Sequence, residues 1–208
     1  MRVRYSYLPQ QFKNCPDLWK ELKKFVKTGD FTLGKPLKIF EKKFSDLIGT
    51  KYAVGVNSGT DALKLSLKVL GIREGDEVIT AANTFVATVG AITELGAVPV
   101  FVDCDDTFCM NVNLIKKKIT KKTKAIIPVH LYGQSCDMDK ILKISKKYNL
   151  KVIEDCAQAQ GAKYKNKFVG TFGDFGCFSF YPTKILGSYG DGGFILTNNK
   201  NFYKKIKR

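Results

Sequence analysis

The sequence predicts an α/β domain in which helices flank a mostly parallel central sheet. Short apolar runs recur along the chain, and amphipathic stretches separate them. Strands of a parallel sheet are apolar throughout because helices cover both faces of that sheet. Glycine follows several of the amphipathic stretches, as is common after the last turn of a helix.

Two amphipathic helices are predicted first, at residues 17–27 and 36–48, each followed by a glycine. We expect an N-terminal helical segment at residues 1–30 and a large domain at residues 31–208. The remaining elements follow from the alternation of apolar runs with helical periodicity. The predicted strands are residues 52–56, 77–80, 98–102, 125–129, 151–154, 175–180 and 193–197, the predicted helices are residues 60–70, 84–95, 114–119 and 138–148, and residues 202–208 resemble the start of another helix.

The charge balance raises the question of nucleic-acid binding. The formal net charge is +16, yet only four of the 35 basic residues are arginine, the side chain that grips phosphate with two donors. The densest lysine run, residues 116–124, has no aromatic side chains for base stacking. The charge therefore favours solvated helix faces and no nucleic-acid partner; nucleic-acid binding is the alternative, and it predicts a steep loss of affinity with salt.

The cysteines and the single histidine limit the possible metal sites and compartments. Six cysteines form no CxxC pair, so no zinc cluster of standard spacing is predicted. Cys156 and Cys177 lie in apolar runs and are predicted to be small buried side chains. No apolar stretch approaches membrane-spanning length, and no signal peptide is recognised at the start. We expect a reduced, cytoplasmic protein without a membrane segment.

One candidate phosphate site lies at residues 57–62, Asn-Ser-Gly-Thr-Asp-Ala, where a strand turns into a helix. Gly59 allows a close backbone approach, and free N–H groups at a helix start attract phosphate. The spacing is neither that of a P-loop nor that of a dinucleotide fingerprint. An ordinary capped helix start is the alternative.

Two further candidates follow predicted strands. Phe85 is placed to stack on a flat ring at the sheet edge, although a core phenylalanine is the alternative. Asp155 ends a buried apolar strand, with Gln158 shortly after it, and a buried carboxylate needs a partner. A protonated pyridine nitrogen would be such a partner; the alternative is an Asp that caps the next helix.

Lys184 is unusual among the lysines because it follows an apolar strand and precedes two hydrophobic residues and a glycine-rich turn. An amine in apolar surroundings can act as a nucleophile toward a carbonyl group. A surface lysine is the alternative. Ser179, shortly before Lys184, adds a hydroxyl group. Together, the phosphate site, the stacking aromatic, the carboxylate at the strand end, this hydroxyl and the lysine are what pyridoxal phosphate requires.

These motifs resemble those of the DegT/DnrJ/StrS-type sugar aminotransferases, which are fold-type I pyridoxal-phosphate enzymes. The resemblance spans most of the chain, from residues 31–34 through residues 54–63 and 128–134 to Gly193. His130 resembles a histidine of the family, with a structural role and a substrate contact both open. By resemblance, Lys184 is the Schiff-base lysine, Asp155 the partner of the pyridine nitrogen, Gly59, Thr60 and Ser179 phosphate-site residues, Phe85 the stacking residue and Gln158 the residue against the ring.

The resemblance also implies a reaction and partners. The turn at residues 181–193 is similar to that of members that aminate C3 of a nucleotide-linked 3-keto-6-deoxyhexose, such as a dTDP sugar, with an amino acid donor such as glutamate. Family members are expected to be homodimers and to continue into a smaller C-terminal domain, which we expect to be missing from this chain. Three explanations of the missing domain are open. The chain is a fragment of a longer product, one half of a split enzyme, or a non-catalytic remnant that binds cofactor or nucleotide sugar.

Overall fold

The computed structural model describes residues 7–13 and 15–208, so residues 1–6 and 14 of the predicted N-terminal segment lie outside the described part. The elements follow one another in the alternation that the sequence predicts. The strands are β1 (Tyr52–Val56), β2 (Glu77–Ala81), β3 (Val98–Val102), β4 (Thr123–Ile127), β5 (Lys151–Asp155), β6 (Lys163–Tyr164), β7 (Lys167–Phe168), β8 (Phe175–Ser179) and β9 (Gly193–Thr197). The helices are α1 (Leu8–Lys13), α2 (Pro16–Thr28), α3 (Lys35–Ile48), α4 (Gly59–Val69), α5 (Val86–Thr93), α6 (Val112–Lys118), α7 (Met138–Tyr148) and α8 (Lys200–Ile206).

A seven-stranded sheet has the order β1-β9-β8-β5-β4-β2-β3. Strands β8, β5, β4, β2 and β3 pair in parallel, whereas β9 is antiparallel to both β1 and β8. The predicted α/β fold with a mostly parallel sheet is confirmed. Because the five parallel strands end at one edge, the residues that follow them are brought together there.

Most element boundaries agree with the sequence within a few residues, and the differences have local causes. Strand β4 ends at Ile127, before Pro128, because proline has no N–H to donate to a neighbouring strand. Helix α8 begins at Lys200, where the Asn199 side chain accepts from two N–H groups of the first turn. The hairpin β6–β7 was not predicted, since its strands have two residues each.

The core occupies both faces of the sheet. One cluster packs α4 and α5 against strands β5, β8 and β9, and Phe175 is among its fully buried members. A second packs α6 and α7 against β2, β4 and β5. Cys156 and Cys177 are buried, as predicted.

Helix α2 has the predicted position, and its C-terminal Gly29 adopts the left-handed conformation, with φ 67°. Its apolar face is nevertheless exposed in this structure: Leu18 is 39% and Val26 54% accessible. The tryptophan of the chain, Trp19, stacks on Tyr189 with ring centroids 5.6 Å apart. Among the described helices, none has the length and apolar character needed to cross a membrane.

Candidate active site

A cavity of about 470 Å³ opens at the edge where the parallel strands end. It lies between the ends of β5 and β8 and the first turns of α4 and α5. All seven residues selected from the sequence line this one cavity, although the role of each remains a prediction. They are Gly59, Thr60, Phe85, Asp155, Gln158, Ser179 and Lys184.

The start of α4 forms one end of the cavity. Ser58 is the N-cap, and its side chain accepts a hydrogen bond from the Asp61 N–H at 3.0 Å. The first N–H groups of a helix have no partner within it, and the helix dipole gives this end a partial positive charge. The capped helix start weighed as an alternative is therefore present, and it also faces the cavity.

Close packing at this end depends on glycine. A Cβ atom on Gly59 would lie 2.7 Å from Ser179 Cβ, and one on Gly193 would lie 2.3 Å from the Ser58 carbonyl oxygen. Both distances are shorter than any normal carbon contact, so a side chain at either position would push α4 away from β8 and β9. The glycines thus bring Thr60 and Ser179 to the same end of the cavity.

Asp155 lies at the floor of the cavity and is 5% accessible. Its Oδ2 accepts from Thr88 Oγ1 at 2.8 Å, and its Oδ1 accepts from the Ala157 N–H at 3.1 Å. Burial raises the pKa of this carboxyl, while those two hydrogen bonds oppose the rise. No helix follows β5 among the described residues before β6, so the helix-capping alternative is wrong.

Phe85 and Lys184 face each other across the cavity mouth. The Phe85 side chain is 63% accessible, so the core alternative is wrong, and Lys184 Nζ lies 5.8 Å from the Phe85 ring centroid. The hydrophobic residues after the lysine do not enclose it as the sequence suggested: Ile185 is 68% and Leu186 45% accessible. Lys184 is half-buried, and an aromatic ring supplies part of its surroundings.

Gln158 connects this cavity to a neighbouring cleft of about 770 Å³. Its Oε1 accepts from the Tyr132 N–H at 3.0 Å, and Tyr132 has a left-handed backbone with φ 55°. Gln158, Thr183 and Lys184 line both spaces. A small group held beside Lys184 would therefore have room for a larger attached molecule in the cleft.

His130 has a structural position. It is fully buried, its Nδ1 accepts from the Cys136 N–H at 3.1 Å, and its Nε2 lies 3.1 Å from Glu154 Oε2. Both ring nitrogens are thus engaged within the protein. Of the two roles left open by the sequence, this geometry favours the structural one.

His130, Glu154 and Cys156 place potential metal-ligating atoms within 4.8 Å of one another. The Glu154 oxygens already accept N–H groups from Gly170, Phe172 and Gly173. Burial raises the pKa of the Cys156 thiol well above its usual range. The donor set therefore fits a buried hydrogen-bonded network better than a metal centre.

Among the polar residues of the cavity to which sequence reasoning gave no role are Thr84, Thr88 and Asp191. Thr84 precedes α5 and Thr88 lies in its first turn, and the local sequence distinguishes neither threonine. Asp191 lies in the glycine-rich turn after Lys184, where no role was predicted for it.

The fold defines the class of the protein as fold-type I, the fold of the pyridoxal-phosphate-dependent aminotransferases. NtdA of Bacillus subtilis, solved with bound cofactor PMP, matches with a TM-score of 0.94 and 39% identity over 99% of this chain and 47% of that one. Residues 15–208 match the DegT/DnrJ/EryC1/StrS aminotransferase family, and the chain belongs to that family.

The names of the curated relatives refer to different nucleotide sugars. The dTDP-3-amino-3,4,6-trideoxy-alpha-D-glucose transaminase of Micromonospora megalomicea is 42% identical over 98% of this chain and 55% of its own length. The GDP-perosamine synthase of Escherichia coli O157:H7 is 51% identical over 83% of this chain and 47% of its own length. The chain spans about half the length of the curated relatives it matches.

Proposed function

We propose that the protein uses pyridoxal phosphate to transfer an amino group from an amino acid donor such as glutamate to a nucleotide-linked keto-deoxysugar. The observation that carries the proposal is the convergence of Lys184, Asp155 and the start of α4 on one cavity. Family membership and the solved relative with bound PMP support the same cofactor.

The residues present fit the cofactor. An ionised carboxylate offers about four lone-pair positions, and the two hydrogen bonds to Asp155 leave acceptor capacity toward the cavity. Gly59, Thr60 and Ser179 line the same cavity, and their N–H and hydroxyl groups are donors that suit a phosphate. The Phe85 ring would cover one face of a flat group beside Lys184.

Pyridoxal phosphate, when bound, supplies a carbonyl group and an electron-withdrawing ring. Asp155 would hold the proton at the ring nitrogen. The Lys184 amine would attach the cofactor and then move a proton at Nζ. Gln158 would lie against the ring and, through Tyr132, keep the edge of the adjoining cleft in position.

We propose a dTDP-linked 3-keto-6-deoxyhexose as the acceptor sugar. The dTDP-sugar relative supports this choice, and the turn that follows Lys184 is similar to that of C3-aminating members. The large domain at residues 31–208 would supply the cofactor site, and a region matching the part of the relatives that this chain does not span would complete the sugar site. The six free cysteines fit a reducing, cytoplasmic setting.

We also propose that two copies of the chain assemble as a homodimer. Exposed apolar side chains, including Phe31 and Leu33, line a groove of about 560 Å³, and an apolar surface of this kind favours association. Light scattering during size-exclusion chromatography measures the assembly directly. A monomeric mass at micromolar concentration would contradict the homodimer and would leave the proposal for the cofactor site unaffected.

Borohydride reduction of the pyridoxal-phosphate-treated protein, followed by peptide mapping, tests the proposal. We expect the cofactor to be fixed to Lys184, and Lys184→Ala to lower amino transfer by roughly a thousandfold or more. Lys143→Ala, an exposed lysine on α7, is the matched control and should change neither result. A folded wild-type protein that fixes no cofactor at Lys184 would instead support the non-catalytic remnant.

A further inference from the structure

A chain of hydroxyl groups leads from the start of α5 to Asp155. Thr88 Oγ1 donates to Asp155 Oδ2 at 2.8 Å, and Thr84 Oγ1 lies 2.7 Å from Thr88 Oγ1. Thr88 is fully buried, whereas Thr84 is partly accessible. Both threonines line the cavity, but the proposed function gives neither of them a role.

The direction of the chain follows from the number of protons available. An ionised carboxylate only accepts hydrogen bonds, so Thr88 must use its single hydroxyl proton on Asp155. The short contact between the two threonines then requires Thr84 to donate and Thr88 to accept. The arrangement is fully satisfied when Asp155 is ionised, and hydrogen bonds to a charged group are stronger than those between neutral groups.

The contact between Thr84 and Thr88 also flanks Phe85, the residue predicted to stack on the cofactor ring. Phe85 is the N-cap of α5, with an extended backbone at φ −73° and ψ 147°. Thr84 precedes it and Thr88 lies in the first turn, so the bond between the two hydroxyls spans the backbone that carries Phe85. Orientation of the carboxylate and placement of the aromatic ring are therefore linked through one pair of hydroxyl groups.

We propose that Thr88, supported by Thr84, is a positioning residue that keeps the Asp155 carboxylate ionised and aimed into the cavity while it holds Phe85 in place. The proposal rests on the proposed function, since its consequence is cofactor binding at Asp155 and Phe85. Thr88 acts through these two residues.

The other groups around Asp155 stay constant when Thr88 is changed. They are the Ala157 N–H, which binds Oδ1, the Lys184 amine, which lines the same cavity, and the buried ring of His130. Glu154 precedes Asp155 on β5, and its oxygens bind the N–H groups of the loop after β7. Loss of the Thr88 hydroxyl therefore removes one hydrogen bond to the carboxylate together with the contact to Thr84.

Three variants test the proposal. Thr88→Val keeps the shape and removes the donor, Thr88→Ser keeps the hydroxyl, and Thr84→Val removes only the supporting bond. We expect Thr88→Val to raise the dissociation constant of pyridoxal phosphate and to lower kcat, each by about tenfold or more. Thr88→Ser should stay within about threefold of the wild type, and Thr84→Val should fall between the two. KM for the amino donor should stay nearly constant.

A structural role alone gives a different pattern. If Thr88→Val lowers the melting temperature of the cofactor-free protein but leaves cofactor affinity and kcat unchanged, the positioning role is overturned. If the wild type binds no pyridoxal phosphate, the proposed function fails separately. The effect of the hydroxyl chain on Asp155 is then tested by infrared titration of the Asp155 carboxyl in the cofactor-free protein. Thr88→Val should shift the midpoint of this titration upward, and an unchanged midpoint overturns the proposed effect on the carboxylate.

Discussion

Glu154 and Asp155 are adjacent acids at the end of the same strand, and they serve different regions of the molecule. Glu154 accepts three backbone N–H groups from the loop at residues 170–173 and contacts His130. Asp155 accepts two hydrogen bonds and lines the cavity. Both are almost fully buried, so burial alone does not identify a functional acid. The direction of the side chain and its unused acceptor capacity distinguish the two acids.

Of the substitutions at these two acids, Asp155→Asn should give the larger effect on function. The amide is nearly the same size but cannot hold a proton at a ring nitrogen as a carboxylate does, so amino transfer should fall by roughly a hundredfold or more. Steady-state kinetics with saturating cofactor measures the loss. Glu154→Gln is the matched control, and equal losses in the two variants would contradict the division of roles.

Glu154→Gln should give the largest effect on stability. Its amide nitrogen would face N–H donors of the loop, which leaves at least one buried donor unpaired and costs about 1–3 kcal/mol. Chemical denaturation with linear extrapolation measures the change in the free energy of unfolding. Unaltered stability would show that the hydrogen bonds between Glu154 and the loop contribute little.

Asp155→Asn should have the opposite, smaller effect on the stability of the cofactor-free protein. Burial raises the pKa of Asp155, so its contribution to stability is full below the unfolded-state pKa and is lost as pH rises through the folded-state value. At neutral pH the variant should therefore be more stable than the wild type, and the difference should shrink in acid. Melting temperatures of the variant and the wild type, measured across a range of pH, check this prediction. A stability difference that grew in acid would contradict it.

The helices and strands were largely predictable because apolar periodicity reports directly on burial. The bounds of β1, β3, β9 and α7 agree with the prediction. Sheet order was not predictable, since it depends on contacts between distant residues such as the pairing of β1 with β9. The hairpin at Lys163–Phe168 gave no signal because its turn, Lys165-Asn166, lacks the glycine that usually marks a two-residue turn.

The candidate site was predictable where a residue had unusual neighbours in the sequence. Asp155 ends an apolar strand and Lys184 lies apart from the charged runs, so both were found. Thr88 was not found, because a threonine in a helix has no distinctive sequence context and its proposed role depends on Asp155, 67 residues away. Hydrogen bonds across such distances are formed by the fold and leave no local pattern.

The stacking of Trp19 on Tyr189 provides an optical signal. Tyr189 belongs to the turn that follows Lys184, and Trp19 is the only tryptophan in the chain. Fluorescence of this indole therefore comes from a single position, next to the segment that carries the lysine. Any ligand that displaces the turn will change the emission, so its binding can be followed in real time without a label.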